Sequence, residues 1–342
     1  MPPLPITWAG LTDAGRFRTN NEDAFAVLPL AAFGSTAEHE GGRAGPSARR
    51  ETLAEALTVP LPSPASGTCT TRPPHGLLVA VADGVGGQSA GEIAAALATT
   101  VLPEELVRFA EAPAPLPSRE CAGRLETAVR RTNGRIRQEA AGDPARKDMA
   151  ATLSALWIVD HRAFLAQVGD SRVYRLRGDT LLQLSHDQSE VGRAVRSGRI
   201  SEDEAKLTTG RNLLDQALGS RDETLAPEID WFELLPGDLF LLCSDGLVDR
   251  LLDHDLATHL VDGLAAGHDL PTLADSLLRR GLDSGSRDNI TVLLLRTGDP
   301  RSTSTVAGPR PARARAVVPA LLAGLLLGTA AGWLVTRLLA SS

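Results

Sequence analysis

Short apolar runs separated by turn residues constrain the fold of this chain more than any other feature of its sequence. They are rich in Val, Leu and Ile and have the length of buried β-strands. The runs cover residues 24–28, 77–82, 152–159, 163–168, 173–177, 180–184, 239–243 and 290–296. Asp160-His161 and Gly178-Asp179 each separate two neighbouring runs, which predicts a hairpin at both places.

Helical patterns fall between groups of these runs instead of after every run. The patterns lie near residues 90–110, 119–141, 189–197, 201–206, 253–266 and 271–283. Because strand groups alternate with helix pairs, the sequence predicts an α+β fold with an antiparallel sheet core, not a doubly wound parallel sheet. An apolar fraction of 43% is enough to fill such a core.

Two segments have the composition of loops or linkers. Residues 34–75 are rich in Gly, Pro, Ser, Ala and Thr, which predicts a low-complexity insertion without a core of its own. Residues 298–315 have a similar composition and predict a linker that follows a domain at 1–297.

The segment after this linker is apolar. Residues 316–336 carry no charged side chain, and a helix needs about 20 such residues to cross a bilayer. Arginine is frequent just before the segment and occurs once just after it, at Arg337, so the positive-inside rule places the preceding domain in the cytoplasm. We therefore expect a single-pass anchor in the cytoplasmic membrane, with 337–342 as a short tail. A buried apolar helix is the alternative.

The net charge and the placement of cysteine and histidine make some classes of function unfavourable. The net charge of −7 gives no general reason to bind nucleic acid. The three cysteines lack the spacing of metal ligands and the seven histidines are scattered. Any metal ion should therefore be held by oxygen atoms, which favours Mg²⁺ or Mn²⁺ over zinc.

Acidic residues stand at the ends of several predicted strands. Each one alone is typical of an ordinary turn. The acids are Glu22 and Asp23 before the first run, then Asp83, Asp170, Asp245 and Asp288. If they converge, they form a hard-oxygen site for one or two divalent cations, which would lower the pKa of a bound water. Gly84, Gly86 and Gly87 would let the backbone approach such ions.

Arg18 lies shortly before the first pair of acids, in the segment RTNNED. A guanidinium can neutralise an acidic site or hold a phosphate through two parallel hydrogen bonds. Metal ions, an activated water and an arginine together indicate phosphoester hydrolysis. The glycine-rich GVGGQSAGE does not have the pattern of a nucleotide-binding P-loop.

An ordered set of motifs resembles a known family. The segments RTNNEDAF, VADGVGG, ATL, VGDSRVYRL, SHDQS, LLCSDGL and SRDNITVLLL occur in the order shown by the metal-dependent protein phosphatases, the type 2C serine/threonine family. The bacterial branch is the most similar. The resemblance covers about residues 8–297 apart from the 34–75 insertion. It implies an α-β-β-α four-layer sandwich with two central, mostly antiparallel sheets, to which the C-terminal transmembrane helix would be appended.

The resemblance also implies a ligand set for two Mn²⁺ or Mg²⁺ ions. Asp83 would bridge the ions together with a water, and Gly84 would offer its backbone carbonyl. Asp245 and Asp288 would be further ligands, and Asp170 would belong to a weaker third metal site. The expected supporting residues are Asp23 for metal-bound waters, Glu22 outside the direct ligands, Arg18 for the phosphate and Asn289 for ligand geometry.

The implied activity is hydrolysis of phosphoserine and phosphothreonine in proteins, by attack of a water or hydroxide that bridges the two ions. A serine/threonine kinase is the implied partner, and residues 187–225 resemble the flap that borders the substrate groove. Val85 and Gln188 depart from residues that some relatives carry. Two alternatives stay open: a hydrolase of small phosphorylated metabolites, and an inactive scaffold that binds phosphoproteins.

Overall fold

The fold is known from a computed structural model. It describes residues 4–30, 65–70, 76–85, 90–108, 116–201, 204–205, 208, 213–220 and 225–298. Gly86, Gly87, the predicted transmembrane segment 316–336 and nearly all of the linker lie outside the described residues. Within the described ranges, no helix has the length and apolar character that crossing a membrane requires.

Twelve strands and six α-helices make up the described part of the chain. The strands are β1 Pro5–Asp13, β2 Asp23–Pro29, β3 Ala65–Thr70, β4 Leu77–Val85, β5 Ala150–Ala151, β6 Leu153–Val159, β7 Arg162–Val168, β8 Arg172–Arg177, β9 Thr180–Gln183, β10 Glu228–Glu233, β11 Leu239–Cys243 and β12 Ile290–Thr297. The helices are α1 Gly91–Val107, α2 Ser118–Gly142, α3 Glu190–Arg196, α4 Asp245–Val248, α5 Asp253–Ala265 and α6 Leu270–Asp283.

The strands form two antiparallel sheets. Sheet 1 has the order β3-β1-β12-β11-β8-β9, and sheet 2 has the order β10-β7-β6-β4-β2 with β5 paired to β4. One apolar cluster lies between the sheets and includes Phe25, Val79, Phe240 and Leu293. The outer face of sheet 2 packs against α1 and α2, and the outer face of sheet 1 packs against α5 and α6. The predicted α-β-β-α layering is therefore confirmed.

Both predicted hairpins are present. Strands β6 and β7 pair around Asp160, and β8 and β9 pair around Gly178. Both turn residues have positive φ angles, 55° at Asp160 and 61° at Gly178. The turn residues therefore predicted both hairpins correctly.

The short strand β5 was not predicted, and β1, β3 and β10 were missed because they lack a strong apolar pattern. The prediction of a low-complexity loop over 34–75 is wrong for residues 65–70, which form β3 and pair with β1. Strand β1 begins at a proline, and β10 is a half-exposed edge strand with acidic residues. Such strands are decided by their pairing partners and not by their own burial.

Strand β4 is longer than the sequence predicts. It continues through Asp83 and Gly84 to Val85, because Gly84 and Val85 pair with Ala151 and Ala150 of β5. Asp83 therefore lies inside a strand that is hydrogen-bonded on both sides, and its backbone is held rigidly.

Candidate metal centre

Asp23 and Asp83 stand directly opposite each other on the neighbouring strands β2 and β4. Cross-strand neighbours have side chains about 5 Å apart, and two like charges in this arrangement repel. The Asp83 amide donates to Thr152 Oγ1 at 2.9 Å, and the Thr152 amide donates to the Asp83 carbonyl at 2.8 Å. Sheet 2 thus presents two fixed carboxylates at one edge.

Sheet 1 meets this edge through two hydroxyl groups. Ser244 Oγ donates to Asp23 Oδ2 at 2.6 Å, and Thr291 Oγ1 donates to the same oxygen at 2.7 Å. Ser244 precedes Asp245, and Thr291 follows shortly after Asp288. The two hydrogen bonds therefore bring the acids of sheet 1 to the acids of sheet 2.

The electrostatics show that these acids form one cluster. The pKa of Asp83 is raised well above its ordinary value, first by burial and then by repulsion from Asp23, Asp245, Asp170 and Asp288. The pKa of Asp245 is raised in the same way, by burial and then by the charges of Asp170 and other nearby acids. A cluster of this kind favours either protons or a bound cation.

Asp23 and Asp170 are less strongly perturbed. Burial raises the pKa of Asp23 to about 6, against the lowering effect of the hydrogen bonds from Ser244 and Thr291. Burial, followed by repulsion from Asp187, raises the pKa of Asp170 to about 7. Both groups lose part of their charge near neutral pH unless a cation is bound.

The donor set fits a hard divalent cation. Oδ1 of Asp23 and Oδ1 of Asp245 are buried and have no hydrogen-bond partner among the described residues. An unpaired buried carboxylate oxygen is costly, and an oxygen-binding ion such as Mg²⁺ or Mn²⁺ would satisfy it. No three His, Cys, Asp or Glu side chains in the described ranges form a complete ligand set by themselves. Water or backbone oxygens would therefore have to complete the coordination.

Gly84 lies where the backbone is crowded. A Cβ atom at this position would lie 2.2 Å from the carbonyl oxygen of Gly91 and 2.7 Å from that of Glu22. The Gly84 amide donates to the Glu22 carbonyl at 3.1 Å. Close packing against α1 and the 14–22 loop therefore requires a glycine here, and a carbonyl ligand at Gly84 stays a prediction.

Arg18 lies at the exposed rim of the carboxylate cluster. Its Nη2 donates to Asp288 Oδ2 at 2.8 Å, and its side chain is 52% exposed. This hydrogen bond is the main cause that raises the pKa of the guanidinium. The guanidinium is therefore charged, close to the carboxylates and accessible to a ligand from solution.

Asn289 holds the loop that carries Arg18 and Glu22. Its Oδ1 accepts from the Glu22 amide at 2.8 Å, and its Nδ2 donates to the carbonyls of Ala14 and Asn20 at 2.9 Å each. Burial is the main cause that raises the pKa of Glu22, and the Arg18 charge opposes this shift. The predicted supporting residues thus lie beside the carboxylate cluster.

The turn that carries Asp170 is joined to the predicted flap by Gln188. The Gln188 amide donates to the Gly169 carbonyl at 2.8 Å, and its Oε1 accepts from the Gly169 amide at 3.1 Å. Its own carbonyl accepts from the amide of Asp215 at 2.8 Å. Gln188, which differs from the residue that some relatives carry at this position, therefore connects the two segments.

The structure brings all nine predicted site residues to one edge of the sandwich, and sequence reasoning missed several neighbours. The missed residues are Thr152, Ser244 and Thr291, whose hydroxyl groups form hydrogen bonds with Asp83 or Asp23. Ser244 adjoins Asp245 in the sequence, which is a local signal. Thr152 is remote in sequence from Asp83, and only the sheet pairing reveals the contact.

Comparisons with known proteins agree with this geometry. A family model described as "Protein phosphatase 2C" matches residues 67–278. The serine/threonine protein phosphatase PstP of Mycobacterium tuberculosis is 33% identical over 220 residues, which are 64% of this chain and 40% of that protein. The serine/threonine phosphatase stp of Listeria welshimeri is 34% identical over 221 residues, 64% of this chain and 83% of that protein. The aligned part thus spans about two fifths of the mycobacterial relative.

Solved structures are similar over most of the chain. The crystal structure of the mycobacterial PstP/Ppp has 27% sequence identity and a TM-score of 0.63, covering 86% of this chain and 100% of that chain. The PstP catalytic domain in complex with two manganese ions has 27% identity and a TM-score of 0.62, with the same coverage. The Streptococcus agalactiae serine/threonine phosphatase has 25% identity and a TM-score of 0.64, covering 85% of this chain and 99% of that chain.

Proposed function

From the premise that this chain belongs to the protein phosphatase 2C family, we propose that it is a metal-dependent protein serine/threonine phosphatase. The observation that carries this proposal is the cluster of carboxylates with unpaired buried oxygens and a charged arginine at its rim. A cation site beside a phosphate-binding guanidinium is the chemistry that phosphoester hydrolysis needs.

We propose two Mn²⁺ or Mg²⁺ ions as cofactors, held by Asp83, Asp245 and Asp288, with the Gly84 carbonyl as a further ligand. The mycobacterial relative with two manganese ions supports this number. When bound, the ions supply an activated water for attack on phosphorus and compensate the negative charges. Asp170, whose carboxylate lies near Asp245, is proposed for a weaker third ion.

The other site residues bind the phosphate or hold neighbouring site residues in position. Arg18 would exchange its bond with Asp288 for two parallel hydrogen bonds to the phosphate, and its partial exposure supports this role. Ser244 and Thr291 direct Asp23 by donating to one of its oxygens, which leaves Oδ1 for a cation or its water. Asn289 keeps the Arg18 loop in place.

The proposal is tested with the purified full chain. We expect hydrolysis of p-nitrophenyl phosphate and of a phosphothreonine peptide that depends on Mn²⁺, together with Mn²⁺ binding by calorimetry. Binding without hydrolysis of any phosphoester would contradict the activity and favour the scaffold alternative. Faster turnover of small phosphorylated metabolites than of phosphopeptides in competition would favour the metabolite hydrolase instead.

We further propose that residues 316–336 anchor the enzyme as a single-pass helix, with the catalytic domain in the cytoplasm. The support is the uncharged apolar sequence and the arginines that precede it. Membrane fractionation of the full chain against a 1–310 truncation tests this: the full chain should sediment with membranes and the truncation should not. Equal distribution of the two forms would exclude the anchor.

A serine/threonine kinase with the same substrates is the proposed partner, because a phosphoprotein phosphatase needs an enzyme that supplies its substrates. Phosphoproteomics of a strain lacking this chain, complemented with wild type or Asp245→Asn, should show phosphothreonine and phosphoserine sites that rise only without wild type. Identical phosphoproteomes would contradict this assignment.

A further inference from the structure

The 14–22 loop beside the metal centre presents an exposed aromatic side chain. Phe17 directly precedes Arg18, and its side chain is 59% exposed, although phenylalanine is more often buried in folded proteins. A single exposed apolar side chain is common on protein surfaces, so its meaning depends on its neighbours. Here the neighbours in the chain are two exposed arginines, Arg16 and Arg18.

The loop that carries Phe17 is held tightly against the segment before β12. Asn289 Nδ2 donates to two backbone carbonyls of the loop, at 2.9 Å each. Gly15 has a φ angle of 76°, and a Cβ atom there would lie 2.3 Å from the carbonyl oxygen of Asp288. The backbone around Phe17 is therefore fixed relative to residues 286–289.

Arg287 lies against the Phe17 ring. Its guanidinium carbon is 5.3 Å from the ring centroid, which is within the range of a cation–π contact. Arg287 is exposed, and within the described ranges no hydrogen bond or ion pair joins it to a carboxylate. A cation–π contact uses no oxygen acceptor, so N–H donors of the guanidinium remain for an anion.

The other two arginines of this surface are engaged with carboxylates. Arg16 pairs with Asp283, the last residue of α6, and both side chains are exposed. Arg18 donates to Asp288 and is assigned to the phosphate in the proposed function. In the part of the chain that the structure describes, Arg287 thus differs from both, because its contact is with a ring and not with a carboxylate.

The charge of this surface favours an anionic ligand. The two segments that meet here, residues 14–19 and 283–289, contain three arginines and two aspartates. One of the aspartates, Asp288, is a proposed metal ligand, and a bound cation would compensate its charge. An acidic side chain that approaches Arg287 would therefore meet a surface with an excess of positive charge.

The position of Phe17 and Arg287 lets them contact residues that flank the phosphoresidue. Each stands one position before a proposed site residue, Arg18 and Asp288, and those two side chains are 2.8 Å apart. An extended peptide advances about 3.3–3.6 Å per residue. A peptide whose phosphate lies at Arg18 therefore brings a residue one to about three positions away to Phe17 and Arg287.

We propose that Phe17 and Arg287 form a specificity site for an aspartate or glutamate side chain of the substrate, close in sequence to the phosphoresidue. This proposal rests on the phosphatase function proposed above. The substrate carboxylate would accept hydrogen bonds from the Arg287 guanidinium, which Phe17 holds in place. A lysine would be repelled, and a glutamine would lack the charge that strengthens these hydrogen bonds.

The test uses the full chain, Mn²⁺ and phosphothreonine peptides in which a non-hydrolysable phosphonate replaces the phosphate. Glutamate is placed at each flanking position in turn, and each peptide is compared with matched glutamine and lysine peptides by calorimetry. We expect glutamate to bind about fivefold more tightly than glutamine at one position or more. Because the site is exposed, this preference should decrease at high salt.

Substitutions at both residues locate the effect. Arg287→Gln removes the charge and should bring the glutamate preference to within twofold of unity. Phe17→Ala should reduce the preference because the guanidinium loses its support, and Phe17→Tyr keeps a ring and should retain it. Arg135→Gln is the matched control: it removes an exposed arginine of α2, on the outer face of sheet 2, and should keep the full preference.

The outcomes separate this specificity site from the reaction. Equal affinity for glutamate and glutamine at every position, or no measurable binding of any peptide, would overturn the site. A glutamate preference that persists in Arg287→Gln would also overturn it. If p-nitrophenyl phosphate is hydrolysed in either case, the phosphatase function still stands. A glutamate preference that Arg287→Gln abolishes, in a protein that hydrolyses no phosphoester, would support the site and contradict the phosphatase reaction.

Discussion

The two ends of β11 carry aspartates with opposite surroundings. Asp238 precedes the strand and is 1% exposed. Its carboxylate accepts from Arg177 Nε at 2.6 Å, from Arg177 Nη2 at 2.7 Å and from the Leu235 amide at 2.9 Å. All of its charge is compensated within the protein, so this end of the strand stabilises the fold.

Asp245 follows the same strand and lacks such compensation. Its Oδ1 is buried and has no hydrogen-bond partner among the described residues, and the nearby charges that raise its pKa belong to other carboxylates. Burial of a carboxylate is costly at both ends of β11, but in the described part of the chain a guanidinium offsets this cost only at the Asp238 end. The difference supports the proposal that the Asp245 end binds a cation from solution.

The largest predicted effect comes from a substitution at the Asp245 end of β11, the proposed metal-binding end. Asp245→Asn keeps the shape of the side chain but removes its charge, and turnover should fall by several orders of magnitude because ion binding and water activation both weaken. Steady-state kinetics in Mn²⁺, with calorimetric titration of the ion, measures both effects. Unchanged turnover would refute the ligand assignment.

The next prediction concerns a substitution at the Asp238 end of β11, where the arginine compensates the buried charge. Arg177→Ala leaves the buried Asp238 carboxylate without its guanidinium, and the free energy of unfolding should fall by about 1–3 kcal/mol. Arg177 is 38% exposed, so solvent screening keeps the loss in the lower part of this range. Denaturant unfolding measures it. Turnover per folded molecule should match wild type, and a large loss of activity in folded protein would contradict the comparison.

The stability of the metal-free protein should depend on pH. Asp23 and Asp170 have folded-state pKa values raised to about 6 and about 7, whereas an unfolded aspartate titrates near 3.9. Between about pH 4 and 7 the folded state therefore binds more protons than the unfolded state, and its stability falls as pH rises.

The melting temperature, measured in the presence of a chelator, should decrease as pH rises over this range. Added Mn²⁺ should raise it again at neutral pH. The comparison is made against Asp170→Asn, which removes one of the raised groups and should flatten the decline. A wild-type and a variant curve with the same slope over this range would show that the shifted carboxylates do not control stability.

The smallest predicted effect concerns an exposed aspartate, which is neither buried with an arginine, like Asp238, nor buried among carboxylates, like Asp245. Asp275 pairs with Arg279 on the surface of α6, with side chains 46% and 72% exposed. Asp275→Asn should change the free energy of unfolding by less than about 0.5 kcal/mol and leave turnover unchanged. A loss comparable to that of Arg177→Ala would mean that burial does not account for the contrast at β11.

Local sequence predicted the elements with strong apolar or turn signals. Leu239–Cys243 was predicted as a buried strand with its bounds unchanged, and the Asp160 and Gly178 turns were predicted as hairpins. Strand β3 was missed because it lacks an apolar pattern and contains Ala and Gly, which have low strand propensity, and its pairing with β1 decides its conformation.

By itself, the sequence determined the antiparallel α+β class, the family resemblance and the identity of the candidate acids, because periodicity, turn residues and ordered motifs are local properties of the chain. It did not distinguish the environments of Asp238 and Asp245, since both are aspartates next to glycine at an end of one apolar run. Only the tertiary structure decided this. Arg177 of β8 lies beside one aspartate and a group of other carboxylates beside the other, and charge compensation depends on distance in space.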